Sequence, residues 1–526
     1  MAKYAVAGTY CRIAVILAAL TGILYTGAPQ GARAAEEAQD RTVVSSDSKP
    51  SKAPAEASFD TKLSVTRHSL EIDGTTLKYE ATAGYMPLKE SSGKTEAYIF
   101  FTAYTKNNGD EESLRPVTFV FNGGPGAASL WLHIGALGPK RVPIDHEMRV
   151  ALPPYRLVAN RETWLDFTDL VFIDPVGTGY SRPAHGVDPK QFYTVKGDIE
   201  SIGEFIRLYC TRYDRWLSPK FLAGESYGTT RAAGLSGFLQ DTLGMYLNGI
   251  ILISSALDFQ TITFSAKNDL PYALYLPAYT NAAWYHRRLS PPLQENLAKT
   301  RKEVEEFALT EYLTALAKGA ELTVPEREKI VDKLSLFTGL SKTYVRNADL
   351  RIGRDGFVAE LLRDEHQRIG TLDARITGPY EFRRFMDDPS VFDVAGPLVA
   401  AYNQYARNEL KYENDATYEF LSTKVNESWN WGSAAEGYVN VADVLARAMK
   451  KNDSLRVFVG SGYYDLDTSY FGAMFTVNHL GSDPALQTRV TMAFYDAGHQ
   501  MYTHGSSLTK LKVDVANFFK ACLPTR

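Results

Sequence analysis

The sequence predicts an α/β protein, with a mostly parallel central sheet covered by helices on both faces. Three observations carry this. Short, nearly all-apolar runs recur at Val117–Phe121, Asp169–Asp174, Lys220–Ala223 and Gly249–Ser254, the composition of strands buried on both faces. Between them lies helical periodicity, as in Val195–Arg212, where Ile199, Ile202, Phe205, Ile206 and Tyr209 share one face. Two of the runs pass directly into glycine-rich turns, Asn122-Gly123-Gly124-Pro125-Gly126 and Gly224-Glu225-Ser226-Tyr227-Gly228.

Taken in order, residues 1–34 are expected to be a signal peptide. Lys3 and Arg12 carry charge, an apolar run begins at Ile13-Ala14-Val15-Ile16-Leu17, and Ala32-Arg33-Ala34 offers an A-x-A cleavage site before Ala35. The alternative is an uncleaved anchor, but the run, ending at about Tyr25, is shorter than the ~20 residues a spanning helix needs. An exported protein, periplasmic or secreted and without stable membrane insertion after cleavage, follows. Residues 35–61, rich in Ser, Ala, Pro, Lys and Glu, are expected to be a disordered linker.

Residues 62–288 are the expected first part of the α/β core. It opens with a hairpin, in which Ser69–Asp73 and Thr76–Ala81 alternate around an Asp-Gly turn. Ala97–Tyr104 is a further strand. After the second glycine-rich turn, Thr229–Leu235 has the character of the first turns of a helix. Residues 289–436 change character and are expected to form a helical cap insertion. Within them, Thr323-Val324-Pro325-Glu326 is a capping box with proline at the helix start, and Gly339 marks that helix's end. Residues 437–526 return to the core, with a helix at Val441–Lys450, strands at Leu455–Gly460 and Thr491–Tyr495, and a closing amphipathic helix at Ser507–Ala521.

Composition excludes some classes. Of 526 residues, 45% are hydrophobic and 22% charged, which is ordinary for a globular protein. The net charge of −4 gives no reason to expect nucleic acid or an anionic membrane as partner. With Cys11 ahead of the cleavage site, Cys210 and Cys522 remain, either as one disulfide or as two unpaired thiols. No C-x-x-C or H-E-x-x-H spacing occurs, so no metal or other cofactor is expected.

A strand, a G-x-S-x-G turn and a helix make a nucleophile elbow, which exposes the serine hydroxyl at a strand end. Ser226 is therefore the candidate nucleophile. In the α/β-hydrolase arrangement the loop at Asn122–Gly126 stands where the first half of an oxyanion hole belongs, and the residue after the serine supplies the other half. The acid and then the histidine should follow later strands. His499, in Asp496-Ala497-Gly498-His499, directly follows the last strand, whereas His479 and His504 occupy no strand-end loop. The preceding strand leads into Gly462-Tyr463-Tyr464-Asp465-Leu466-Asp467, and spacing alone leaves both aspartates open.

These residues resemble the serine carboxypeptidases. That family carries an N-G-G-P-G loop, a G-E-S-Y-G elbow, a G-x-x-D segment and a late G-H, matched here by Asn122–Gly126, Gly224–Gly228, Gly462–Asp465 and Gly498-His499. Asp174 to Tyr180 is also similar, and the likeness runs from about Leu63 to the C-terminus as that of an exported, bacterial-type member. A glycine seven residues after the family's acid is matched by Gly472, which favours Asp465. The resemblance implies Ser226 as nucleophile, His499 as base and Asp465 as its orienter. It implies an oxyanion hole from the N–H groups of Gly124 and Tyr227. Asn122, Gly123 and Glu225 would hold the C-terminal carboxylate of a peptide substrate, with Glu225 protonated, since two adjacent like charges are costly. Four positions depart. Ala127 and Ala128 replace the usual Cys and Ser, Ala136 stands where a second carboxylate-binding glutamate falls, and Val120 replaces a tryptophan. The other readings are a different α/β-hydrolase, such as a proline iminopeptidase-like aminopeptidase or an esterase, an acyltransferase using the same triad, and a catalytically inert binding protein.

Overall fold

The computed structural model describes residues 61–107, 114–144, 152–381, 388–432 and 437–523. The signal-peptide reading of 1–34 and, but for Thr61, the linker reading of 35–61 lie outside the described residues.

In chain order the main strands are β1 (Ser64–Ile72), β2 (Thr75–Lys89), β3 (Thr95–Lys106), β4 (Val117–Phe121), β5 (Asp169–Ile173), β6 (Lys220–Ser226), β7 (Gly249–Ser255), β8 (Arg456–Gly462) and β9 (Val490–Tyr495). They lie in one sheet in the order β1-β2-β3-β5-β4-β6-β7-β8-β9, with the short strand Arg182–Pro183 beside β3. The β1–β2, β2–β3 and β3–β5 pairings are antiparallel. Every pairing from β5 through β9 is parallel. The hairpin between β1 and β2 turns at Asp73 and Gly74, both at positive φ (49° and 77°), as the Asp-Gly pair requires.

Adjacent residues of the central strands serve opposite faces. Phe119, Leu222, Ile250 and Val457 pack beneath α1 (Val195–Arg212) and α2 (Tyr227–Leu243), against Ile202, Phe205, Leu235 and Leu239. Their neighbours Val120, Ala223, Ile251 and Phe458 point to the other face, where Leu511, Val515 and Phe518 of the closing helix Gly505–Cys522 cover them. A strand buried on both faces cannot alternate polar with apolar, which is why these runs are continuous. Helix α1 starts where Thr194 accepts the Gly197 N–H at 2.9 Å.

Between β7 and β8 the chain leaves the sheet. Helices α3 (Leu270–Tyr285), α4 (Leu297–Phe307), α5 (Val324–Thr338), α6 (Arg354–Glu360) and α7 (Pro389–Asn408) lie here. The first four build a separate core that also takes Tyr464, Leu466, Tyr470 and Phe471 from the segment after β8. This helical core opens with α3, ahead of residue 289. Helix α3 is buried nearly all round, so it shows no amphipathic stripe in the sequence. Helix α7 joins the sheet's own core through Leu398, Tyr402 and Tyr405. Helix α5 has the expected reciprocal capping box between Thr323 and Glu326 and ends at Gly339, φ 70°. Cys210 and Cys522 are free thiols, the first buried in α1.

Candidate active site

Ser226 closes β6 with φ 59° and ψ −130°, a conformation that L-residues seldom adopt. The turn is held by its glycines. A Cβ on Gly224 would lie 2.2 Å from Gly228 O, and one on Gly228 would lie 2.8 Å from Phe121 O. Only residues without side chains let the strand reverse so sharply into α2, and the reversal leaves Ser226 partly exposed at the end of a buried strand. Tyr227 is the first residue of α2, so its N–H has no acceptor within the helix. The loop after β4 lies directly against this elbow, because a Cβ on Gly123 would stand 2.5 Å from Tyr227 N. Gly124 follows at φ 101°.

Asn122 is anchored at both ends. Its backbone carbonyl accepts Arg231 Nη1 at 2.7 Å, and its Oδ1 accepts the Leu132 N–H at 3.0 Å. Arg231 in turn pairs with buried Asp198 at 2.8 Å, tying α1, α2 and the loop together. Where the resemblance expects Cys and Ser, Ala127 instead bridges to Leu421 through its backbone and the Ala128 N–H donates to Phe420 O at 3.1 Å.

The loops after β8 and β9 bring an acid and an imidazole together. His499 Nδ1 lies 2.8 Å from Asp465 Oδ2, and both residues are buried. The other oxygen of Asp465 accepts the N–H groups of Asp467 and Thr468 at 2.7 and 2.9 Å, while the Thr468 hydroxyl donates to Oδ2 at 2.6 Å. Asp467, the alternative acid, turns away and pairs with Arg354 at 2.6 Å. With Nδ1–H committed to Asp465, the ring's Nε2 is left as the proton acceptor. Burial lowers the imidazole, but the charge and hydrogen bond of Asp465 outweigh it, with Asp467 and Glu225 adding, and raise His499 to about 9.

Segments distant in sequence hold the His499 loop. The Gly498 N–H donates to Asp373 Oδ2 at 2.9 Å, the His499 N–H to Leu372 O at 2.6 Å, and the Ser254 hydroxyl to His499 O at 2.7 Å. A Cβ on Gly498 would meet Leu372 O at 2.2 Å, hence the glycine. Other histidines are committed elsewhere: His479 Nδ1 is 2.7 Å from Phe475 O, and His133 stacks on Phe172 at 4.3 Å.

Glu225 is buried beneath Ser226. Burial pushes its carboxyl up to about 7, against the opposing influence of His499, Tyr502, Asn122 and Gln500. Ala136 is wholly buried in the turn before Leu137. The structure thus gathers Asn122, Gly123, Gly124, Glu225, Ser226 and Tyr227 on two adjoining backbones, with Asp465 and His499 after β8 and β9, beyond β7. Sequence reasoning did not name Arg354, Leu372, Asp373, Thr468, Gln500 or Tyr502. Of these, Gln500 and Tyr502 had the one local signal, directly following His499 in Gly498-His499-Gln500-Met501-Tyr502.

The sheet order, the strained serine turn and the buried His–Asp pair at successive strand ends define an α/β-hydrolase. The family model described as serine carboxypeptidase matches residues 71–519, and the chain belongs to that family. Serine carboxypeptidase-like 34 of Arabidopsis thaliana is 27% identical over 273 residues, which cover 50% of this chain and 48% of that protein. The pheromone-processing carboxypeptidase of Saccharomyces cerevisiae is 30% identical over 156 residues, covering 28% of this chain and 20% of that protein. The matches therefore span about half or less of these relatives' lengths. The crystal structure of a prohormone-processing carboxypeptidase from Saccharomyces cerevisiae shares the fold, with a TM-score of 0.54 and 16% identity over 84% of this chain and 91% of that one.

Proposed function

We propose that this chain is an exported serine-type carboxypeptidase that removes C-terminal residues from peptides. The observation that carries the reading is the 2.8 Å pairing of His499 Nδ1 with Asp465, set at strand ends beside a serine held at positive φ. Ser226 Oγ attacks the last peptide carbonyl and gives its proton to His499 Nε2. Asp465 stabilises the imidazolium, and the N–H groups of Gly124 and Tyr227 receive the developing oxyanion. The C–N bond breaks as His499 returns the proton to the leaving amine, and the free amino acid departs. Water, deprotonated by His499, then attacks the acyl ester and regenerates Ser226. Asn122, the Gly123 N–H and a protonated Glu225 bind the substrate's terminal carboxylate.

The charged and then apolar pattern of residues 1–34 supports export to the periplasm or exterior. No helix of the described residues is long and apolar enough to cross a membrane. We read the segment 289–436 as the cap over the site, since Leu372 and Asp373 within it hold the His499 loop.

The test is product analysis on one peptide supplied as free acid and as C-terminal amide, with Ser226→Ala as control. Release of the terminal residue from the free acid, and loss of both turnover and fluorophosphonate labelling in Ser226→Ala, is the expected result. Equal cleavage of the amide at its last bond would overturn the carboxypeptidase reading.

A further inference from the structure

Three polar atoms converge beside Ser226 with no hydrogen bond of good geometry, their only near partners being one another and Gln500: Asn122 Nδ2, Glu225 Oε2 and Tyr502 Oη. Their residues are only 1%, 3% and 2% exposed. Polar atoms so poorly paired at such depth are rare in folded proteins, and three together mark a place built for a polar group of the substrate. The side chains are close enough that Tyr502 and Asn122 both act on the Glu225 carboxyl. Their orientation is determined. Because Asn122 Oδ1 is occupied by the Leu132 N–H, its NH2 is the end that faces the cluster. Tyr502 comes from the turn Met501–Thr503, directly after His499, and its ring lies against the Gly135 turn, 3.4 Å from where a Gly135 Cβ would stand. That is the turn carrying Ala136, whose methyl cannot donate a hydrogen bond.

We propose that Tyr502 is a specificity-determining residue, whose hydroxyl joins Asn122 Nδ2 and protonated Glu225 in donating to the α-carboxylate of the substrate's C-terminal residue. All three donors are neutral, so they hold the anion without an arginine or lysine, and Tyr502 supplies what a second carboxylic acid would otherwise provide. Burial and the neighbouring Glu225 also push the phenol well above its ordinary range, so it stays a donor wherever the enzyme works. Glu225 is then the one member of the three whose ionisation changes carboxylate binding.

This inference rests on the carboxypeptidase reading, and the experiment separates the two. Tyr502→Phe removes the hydroxyl and keeps the ring against Gly135. Kinetics are measured on an N-blocked dipeptide as free acid and as methyl ester, with the fluorophosphonate labelling rate reporting an intact site. The free acid should lose about tenfold or more in kcat/KM relative to the ester, chiefly through KM, the scale of one hydrogen bond to a charged group. Equal losses on both substrates, or none, would overturn the role of Tyr502. If wild type itself shows no requirement for a free carboxylate, it is the carboxypeptidase reading that fails. Should Tyr502→Phe not fold, 3,5-difluorotyrosine at position 502 keeps the volume and the hydroxyl while making the phenol more acidic. It should change the free-acid kcat/KM relative to the ester, and an unchanged ratio would overturn the role of Tyr502.

Discussion

Arg354 Nη1 lies 2.6 Å from Asp467 Oδ1, two residues beyond the carboxylate that receives His499. The contact separates two acids that sequence spacing left equivalent. Asp465 turns inward, its oxygens occupied by two backbone N–H groups, the Thr468 hydroxyl and the imidazole. Asp467 turns toward α6. Asp465→Asn should therefore lower kcat on a free-acid peptide by about 10⁴, because the amide no longer stabilises the imidazolium or enforces its tautomer. Asp467→Asn should stay within about tenfold of wild type. Steady-state kinetics on both variants decide it, and the reverse ranking would make Asp467 the acid.

Arg354 also neutralises a charge near His499. Asp467 contributes to raising His499, so removing its partner in Arg354→Gln should raise the imidazole further. The acidic limb of kcat should move to higher pH by about half a unit. A pH–rate profile of the variant tests this, and a limb moved to lower pH would contradict the coupling.

Glu225 and His499 are coupled, since the His499 cation lowers the carboxyl and the Glu225 anion raises the imidazole. The ion pair and the neutral pair carry the same number of protons, but only the neutral pair has a base. In the proposed carboxylate site, a substrate carboxylate beside Glu225 would disfavour its anion, leaving the proton on Glu225 and His499 free to act. Hydrolysis of free acids should fall where rising pH strips the shared proton from the Glu225–His499 pair, while esters, which need only a neutral His499, keep their activity there. Glu225→Gln should largely abolish that difference, at a loss of about tenfold for free acids. Matched pH profiles of kcat/KM for acid and ester substrates provide the check.

Asp174 offers a prediction about stability. Burial pushes it to about 7, although Oδ1 accepts the Ser129 N–H at 2.9 Å and the Tyr418 hydroxyl at 3.3 Å and the Tyr180 backbone opposes the shift too. Its folded value lies above the unfolded one, so the folded state binds more protons in between. Stability from this group is complete below the unfolded value, near 4, and is lost as pH rises to about 7, by up to about 1.4 kcal/mol per pH unit. Glu225 acts with the same sign. Urea unfolding between pH 4.5 and 7 should show a shallower decline in Asp174→Asn than in wild type, and an identical slope would exclude Asp174 as a contributor.

The sequence by itself determined whatever is local along the chain. Continuous apolar runs marked the strands buried on both faces, and α1 begins and ends at Val195 and Arg212 as its periodicity predicts. The two glycine turns and the histidine after the last strand were legible because a sharp turn restricts which residues can occupy it. Tertiary structure decided what depends on segments meeting from far apart. Asp373 reaches Gly498 across 125 positions and Arg354 reaches Asp467 across 113. Helix α3, apolar on every side, carries no stripe from which its neighbours could be inferred. Tyr502 gains its place at Glu225 only when the turn after β9 packs against the Gly135 turn, a contact set by how side chains fill space between loops and not by any pattern within either one.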